Sequence, residues 1–444
     1  MTENLKLFGT VLRTQDQDVN ETASDVPLIL NEETSGKTSV PGSFDGRTIW
    51  GKYLSPIMDQ GQCGGCYSFA ITSTLQDKFA LYTNNEVKPF LNPLEAIMCH
   101  IAGLTKHDQL LWAADPSFRE SQEARTKYTA CKGGTLYEIA RYYYRLGAVE
   151  DSCVSNKTIQ QHLENTGELP LCSSITGPLH NKCETKSEGD IPDAQRRWPV
   201  LNFYVVSKSN DLRTVAKYMK YDICTKGPIA AGFNMYNDFL EEYTGEDVYV
   251  PREGQEVIGG HAVKIVGWGS TVQDGKLLDY WICANSWGPD WGDDGYYKMV
   301  MADPLLATEL NHLSIIPQIP GIMKHFEFAT KASEVREMDT ILRNNINVNP
   351  FTLYDKNTTK LIQEGKLNGS FFPPVFEKFD YKLDPSLFSC RTERSWSSKW
   401  ADATGGYVLM AITIGGFILF GLFLGVLWHL IFRRYPGVIL VRRR

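Results

Sequence analysis

Gln60-Gly61-Gln62-Cys63-Gly64-Gly65-Cys66-Tyr67-Ser68-Phe69-Ala70 is the stretch from which the rest of the chain is read. From Tyr67 onward the apolar residues Tyr67, Ile71, Leu75 and Phe79 recur at every fourth position, and Ala70 and Leu81 widen the stripe. That period predicts an amphipathic or buried helix over 66–82. Glycine extends a helix poorly, so the helix is expected to start near Cys66, at the positive end of its dipole. There a thiolate, the nucleophilic form of cysteine, is favoured over the thiol. Gln60, six residues upstream, has a side-chain N–H able to reach toward an oxyanion. The same residues also fit one disulfide cysteine and one buried cysteine ahead of a core helix.

Two segments far downstream carry the partners that a nucleophilic cysteine needs. Gly259-Gly260-His261-Ala262-Val263-Lys264-Ile265-Val266-Gly267-Trp268-Gly269 and Tyr280-Trp281-Ile282-Cys283-Ala284-Asn285-Ser286-Trp287-Gly288 both read as strands bounded by glycine. His261 supplies a general base. Asn285 supplies an oxygen that accepts from the imidazole and holds one tautomer.

With these three segments in the order Cys, His, Asn, the chain resembles the papain-like cysteine peptidases, and in its 227–243 region the cathepsin B-like members. The quoted motifs are Gln-Gly-x-Cys-Gly-x-Cys-Tyr-x-Phe-Ala, Gly-Gly-His-Ala and Asn-Ser-Trp-Gly-x-x-Trp-Gly. Gly65 departs from the Ser or Ala usual there. The resemblance implies an α+β fold of two lobes, a helical lobe with Cys66 and a β-rich lobe with His261 and Asn285, and a cleft between them. It implies catalysis by Cys66, His261, Asn285 and Gln60 on a polypeptide substrate, with Trp287 shielding the His261–Asn285 contact. Cys131-Lys132-Gly133-Gly134 resembles the family's Cys-x-Gly-Gly. By that resemblance Gly133 and Gly134 line the substrate and Cys131 pairs with Cys63. No metal or organic cofactor is implied. The membrane-anchored cathepsin-like chains of large DNA viruses, insect iridoviruses among them, also resemble this one.

At 444 residues the chain has room for one large domain and an appendage. The formal net charge of −7, with no basic stripe and no phosphate-binding loop, excludes an evident nucleic-acid partner. Ten cysteines point toward an oxidising compartment, although Cys224 and Cys283 lie in apolar runs and read as buried thiols.

In order, residues 1–39 form a polar leader without the apolar run of a signal peptide. It is shorter than the family's usual inhibitory pro-segment. The peptidase domain is expected over 40–320, with helices at 91–99, 136–146 and 211–224 and a strand at 203–207. Residues 153–199 read as a loop-rich insertion, which explains why His261 lies 195 residues after Cys66. That spacing exceeds the roughly 130–150 residues of papain. Cathepsin B-like enzymes carry paired histidines here, whereas His162 and His180 stand apart, so exopeptidase activity is not expected. Specificity at the second subsite is expected to be set partly near 309–311.

Residues 321–402 match nothing in the family and carry no assignable activity. Residues 403–432 contain no Asp, Glu, Lys or Arg. At roughly 1.5 Å per residue they span the bilayer core of about 30 Å as one transmembrane helix. Gly421 and Gly425 have the spacing of a helix-dimer face, which ordinary membrane-helix glycine content also explains. Arg433, Arg434, Arg442, Arg443 and Arg444 form a basic tail over 433–444 and place it in the cytosol, with the peptidase lumenal, extracellular or virion-associated. The sequons at Asn20, Asn156, Asn357 and Asn368 agree with that orientation, and the missing signal peptide argues the reverse. Two rival functions remain: a dithiol redox protein using Cys63 and Cys66, and a non-catalytic adhesion or structural protein on a peptidase scaffold.

Overall fold

The computed structural model describes residues 40–99, 130–152, 155–170, 198, 200–207, 209–317, 319, 383–388 and 390. The leader, the cysteines at 153, 172 and 183, His180, the sequons other than Asn156, and the 403–432 stretch lie outside the described residues. Among the described residues no helix is long and apolar enough to cross a membrane.

The chain enters through β1 (Phe44–Asp45) and α1 (Gly46–Trp50), then runs into α2 (Cys66–Tyr82). All seventeen residues of α2 are buried, so it is a central helix covered on every side. It begins where Gly65 O accepts from the backbone N–H of Ser68 and Phe69. It ends where Thr83 Oγ1 donates to Phe79 O and accepts from Val87 N. Among the described residues two helices cover it within the first lobe. In α3 (Pro93–Cys99), Pro93 O accepts from Ser68 Oγ at 2.8 Å. In α4 (Leu136–Leu146), Tyr143 OH meets Thr72 Oγ1 at 2.7 Å. A reciprocal cap starts α4: Thr135 Oγ1 accepts from Glu138 N, and Glu138 Oε2 accepts from Thr135 N. Gly147 ends it.

The second lobe is a sheet of β2 (Val200–Tyr204), β3 (Ile229–Tyr236), β4 (Val248–Tyr249), β5 (Val257–Gln273), β6 (Lys276–Ala284), β7 (Tyr296–Val300) and β8 (His312–Pro317). Its order is β2-β8-β3-β5-β6-β7-β4, with β1 added on β5. Among the described strands only β4 and β7 pair in parallel. The long β5–β6 hairpin closes through Asp274 and Gly275, both at positive φ, as the right-handed twist of two-residue hairpins demands. Helix α2 packs across β5, so the segment led by Cys66 lies on the strand that carries His261.

Four expectations are corrected. The insertion is not all loop: α5 (Asn156–Thr166) lies in it, with only Ile159 and Leu163 buried, too thin an apolar stripe to read as periodic. His162 sits on its exposed side. The strand expected at 203–207 is Val200–Tyr204, because pairing with β8 draws in residues directly after Pro199. Helix α6 (Leu212–Lys226) runs past Cys224 to Gly227, and Asp211 caps it by accepting from Thr214 N. Cys224 is not a thiol. It is bonded to Cys390, and the neighbouring residues 383–388 dock on the body, with Leu387 buried and its carbonyl accepting from Trp50 Nε1. Cys283 is a buried thiol, and burial raises its pKa above the ordinary range.

Candidate active site

Cys66 is the first residue of α2 and remains a thiol. The loop before it is stapled: Cys63 is bonded to Cys131, and Gly64 N donates to Cys131 O. Cys63 therefore does not form a dithiol pair with Cys66, which removes the redox rival. Just past Cys131, Gly133 has φ 125°. Gly134 lies so close to the ring of Tyr67, the second residue of α2, that a Cβ there would come within 2.6 Å of it. Gly134 therefore packs against the start of the Cys66 helix, and a side chain in its place would collide with Tyr67.

Gln60 is fully buried and held by both its backbone and its carboxamide. Its N donates to Ser286 O, its Oε1 accepts from Ser286 Oγ at 2.6 Å, and its Nε2 donates to Cys63 O at 2.9 Å. The carboxamide plane is thus locked between the loop before Cys66 and the residue after Asn285. Sequence reasoning missed Ser286, although it sits inside the Asn-Ser-Trp motif, because a serine hydroxyl there has no sequence signal for what it contacts.

His261 is buried on β5, and Asn285 follows the end of β6. His261 Nε2 and Asn285 Oδ1 are 2.8 Å apart. Asn285 Oδ1 also accepts from Ser286 N at 2.9 Å, and an atom that accepts from a backbone N–H is the amide oxygen. His261 Nε2 therefore carries the hydrogen of this bond, and in the neutral ring Nδ1 bears a lone pair. Among the described residues Nδ1 has no hydrogen-bond partner. The ring packs at 4.8 Å from Trp287 and at 5.6 Å, edge-on, from Phe233. This apolar enclosure pushes the imidazole pKa down to about 4, while the Asn285 bond opposes the fall. Trp287 in turn stands against Trp291 and Phe239.

Phe69, Ala70 and Ser73 from the first turns of α2 face Ala262, Asn285 and Ser286 across a small cavity. The helix that begins with Cys66 and the strands that carry His261 and lead to Asn285 thus meet at this seam. Near the region expected to set the second subsite, Glu309 is buried and accepts from Trp281 Nε1 and Ala302 N, so it braces the core. Among the described residues no group of His, Cys, Asp and Glu is placed to hold a metal ion.

The family model described as "Papain family cysteine protease" matches residues 40–312. Cathepsin B-like CP3 of Giardia intestinalis is 31% identical over 271 residues, covering 60% of this chain and 71% of the relative. Cathepsin B-like cysteine proteinase 4 of Caenorhabditis elegans is 29% identical over 294 residues, covering 65% and 78%. Among solved structures, procathepsin B S9 from Trypanosoma congolense is similar at 22% identity and a TM-score of 0.47, covering 71% of this chain and 88% of that one. With the family match spanning Cys66, His261 and Asn285 and with cathepsin B-like relatives, this chain belongs to the papain family of cysteine proteases.

Proposed function

We propose that the chain is a membrane-anchored endopeptidase that hydrolyses polypeptides through a thioacyl-enzyme on Cys66. One observation carries this reading: the Asn285 bond assigns the hydrogen of His261 to Nε2 and leaves Nδ1 to accept a proton, on a strand packed against the Cys66 helix. Cys66 gives its proton to Nδ1, and the thiolate, favoured by the helix dipole, attacks the scissile carbonyl carbon. The carbonyl electrons move to oxygen, where the Cys66 backbone N–H and the second hydrogen of Gln60 Nε2 receive them. As the oxyanion collapses, the C–N bond breaks and the amine leaves with the proton from Nδ1. Water then yields a proton to Nδ1 and attacks the thioester, which releases the acid and restores Cys66. Asn285 holds the imidazolium through Nε2, Trp287 covers that bond, and Gly133 and Gly134 let the substrate backbone lie close. The absence of paired histidines, with His162 exposed on α5, supports endopeptidase action.

The uncharged run 403–432 and the arginines after it support a single membrane anchor with the peptidase facing away from the cytosol. An epoxysuccinyl peptide probe tests both parts in cells expressing the full chain. Labelling and peptide turnover are expected in the membrane fraction, absent from Cys66→Ala, and moved to the soluble fraction by deletion of 403–432. Labelling that survives Cys66→Ala overturns the nucleophile. Labelled protein that is soluble with 403–432 intact overturns the anchor.

A further inference from the structure

Helix α2 carries two adjacent charged residues, Asp77 and Lys78, and both are fully buried. Lys78 Nζ donates to Ser314 Oγ, which donates to Asp222, an acid already paired with Lys226. Asp77 turns to the other side of the helix. Its Oδ2 lies 2.6 Å from Lys264 Nζ, and its Oδ1 accepts from Ser55 N at 2.6 Å. Lys264 Nζ closes the triangle by donating to Ser55 Oγ at 3.1 Å.

The members of this triangle come from three separate segments. Asp77 is on the helix that begins with Cys66. Lys264 is three residues after His261 and pairs across the sheet with Ala284, the residue before Asn285. Ser55 lies on the loop that leads to Gln60. The Cys66 helix, the His261 strand and the Gln60 loop thus each contribute one corner, and the Asn285 strand joins only through the pairing of Ala284 with Lys264.

A buried ion pair is a poor way to gain stability, because the cost of stripping water from both charges rivals their attraction, and packed apolar groups often serve as well. Such a pair does hold its partners at fixed distance and direction, whereas apolar surfaces slide. Misplacing reacting groups by about 1 Å costs roughly 10²-fold in rate.

We propose that Asp77, Lys264 and Ser55 form a positioning junction that sets the alignment of Cys66, His261 and Gln60, so that the junction governs kcat more than stability. This rests on the Cys66–His261–Asn285 reading above. None of the three is a catalytic residue; they act through the segments that they tie together.

The test uses the full chain and compares wild type, Asp77→Leu/Lys264→Met, Asp77→Glu and Lys264→Arg. Thermal unfolding, kcat and KM on a peptide substrate, and the rate of Cys66 alkylation by iodoacetamide are measured for each. The double apolar variant is expected to unfold within a few degrees of wild type. Its kcat should fall at least about tenfold with KM within about twofold, and Cys66 alkylation should slow in step. Lys264→Arg, which keeps the charge, is expected to retain more of kcat than the double variant. Wild-type kcat in a folded double variant overturns the proposal. Should the double variant fail to fold, Asp77→Glu decides, since it keeps both charges and lengthens one arm by a methylene: lowered kcat supports positioning, and unchanged kcat overturns it. Loss of the active-site reading has a different signature, wild-type turnover that is absent or that survives Cys66→Ala.

Discussion

His261 lives in two environments with opposite preferences. In the unfolded chain its imidazole has an ordinary pKa near 6.5, and in the fold burial pushes it down to about 4. Between those values the unfolded chain binds a proton that the folded chain refuses. Acidification from 6.5 to 4 therefore favours unfolding, by on the order of 3 kcal/mol for a shift of that size. Stability from this group is present above about pH 6.5 and is lost as the pH falls toward 4. In a Cys66→Ala background, which removes the proposed nucleophile, thermal unfolding is expected to show this loss. His261→Phe in the same background keeps an aromatic ring against Trp287 and Phe233 and should flatten the profile. Equal acid slopes in the two proteins would mean that some other group titrates.

At the scale of an element, the start of α2 explains the Gly65 departure. A Cβ at Gly65 would stand 2.4 Å from Ile97 Cδ1, in a fully buried contact between α2 and α3. The isoleucine methyl occupies the space that a Ser or Ala side chain would need. Gly65→Ala is expected to destabilise by about 1–3 kcal/mol through overpacking. Ile97→Val removes that Cδ1 and on its own costs about 0.5–1.5 kcal/mol. The two together should cost less than their sum, which a double-mutant cycle in denaturant reads directly. Strict additivity would show that no clash exists.

For the whole molecule, the notable link is the one between the family domain and the chain beyond it. The family match ends at residue 312, yet residues 383–388 return to the body. Leu387 O accepts from Trp50 Nε1, and the ring of Phe388 stands edge-on to Tyr82 at the end of α2. Cys390 closes the return covalently onto Cys224 of α6, a bridge spanning 166 residues. Cross-linking so long a loop restricts the unfolded chain, so Cys390→Ser is expected to lower stability by about 2–4 kcal/mol under non-reducing conditions. An unchanged melting temperature would show that the bridge constrains nothing that unfolds. The stretch 321–402, which carries no assignable activity as sequence, thus contains a covalent strap onto α6.

Much of this was legible in the chain itself. The glycines before Cys66 and the fourfold apolar repeat after it give the bounds of α2 as they stand in the structure, and Gly147 marks the end of α4. Those features are local: a backbone that cannot continue a helix, or a stripe that needs cover, acts wherever the segment sits. The motifs around His261 and Asn285 likewise name the groups. Helix α5 escaped because two apolar residues in a polar run make no stripe, and Cys224 was misread because its partner lies in a segment with no pattern of its own. Tertiary structure alone decided the tautomer of His261, the grip of Ser286 on Gln60, and the pairing of Asp77 with Lys264. In sequence, an Asp and a Lys within a helix read as its solvent face. Only when the sheet and the flanking helices cover every side of α2 do those charges lose water, and only then must each find a partner on another segment.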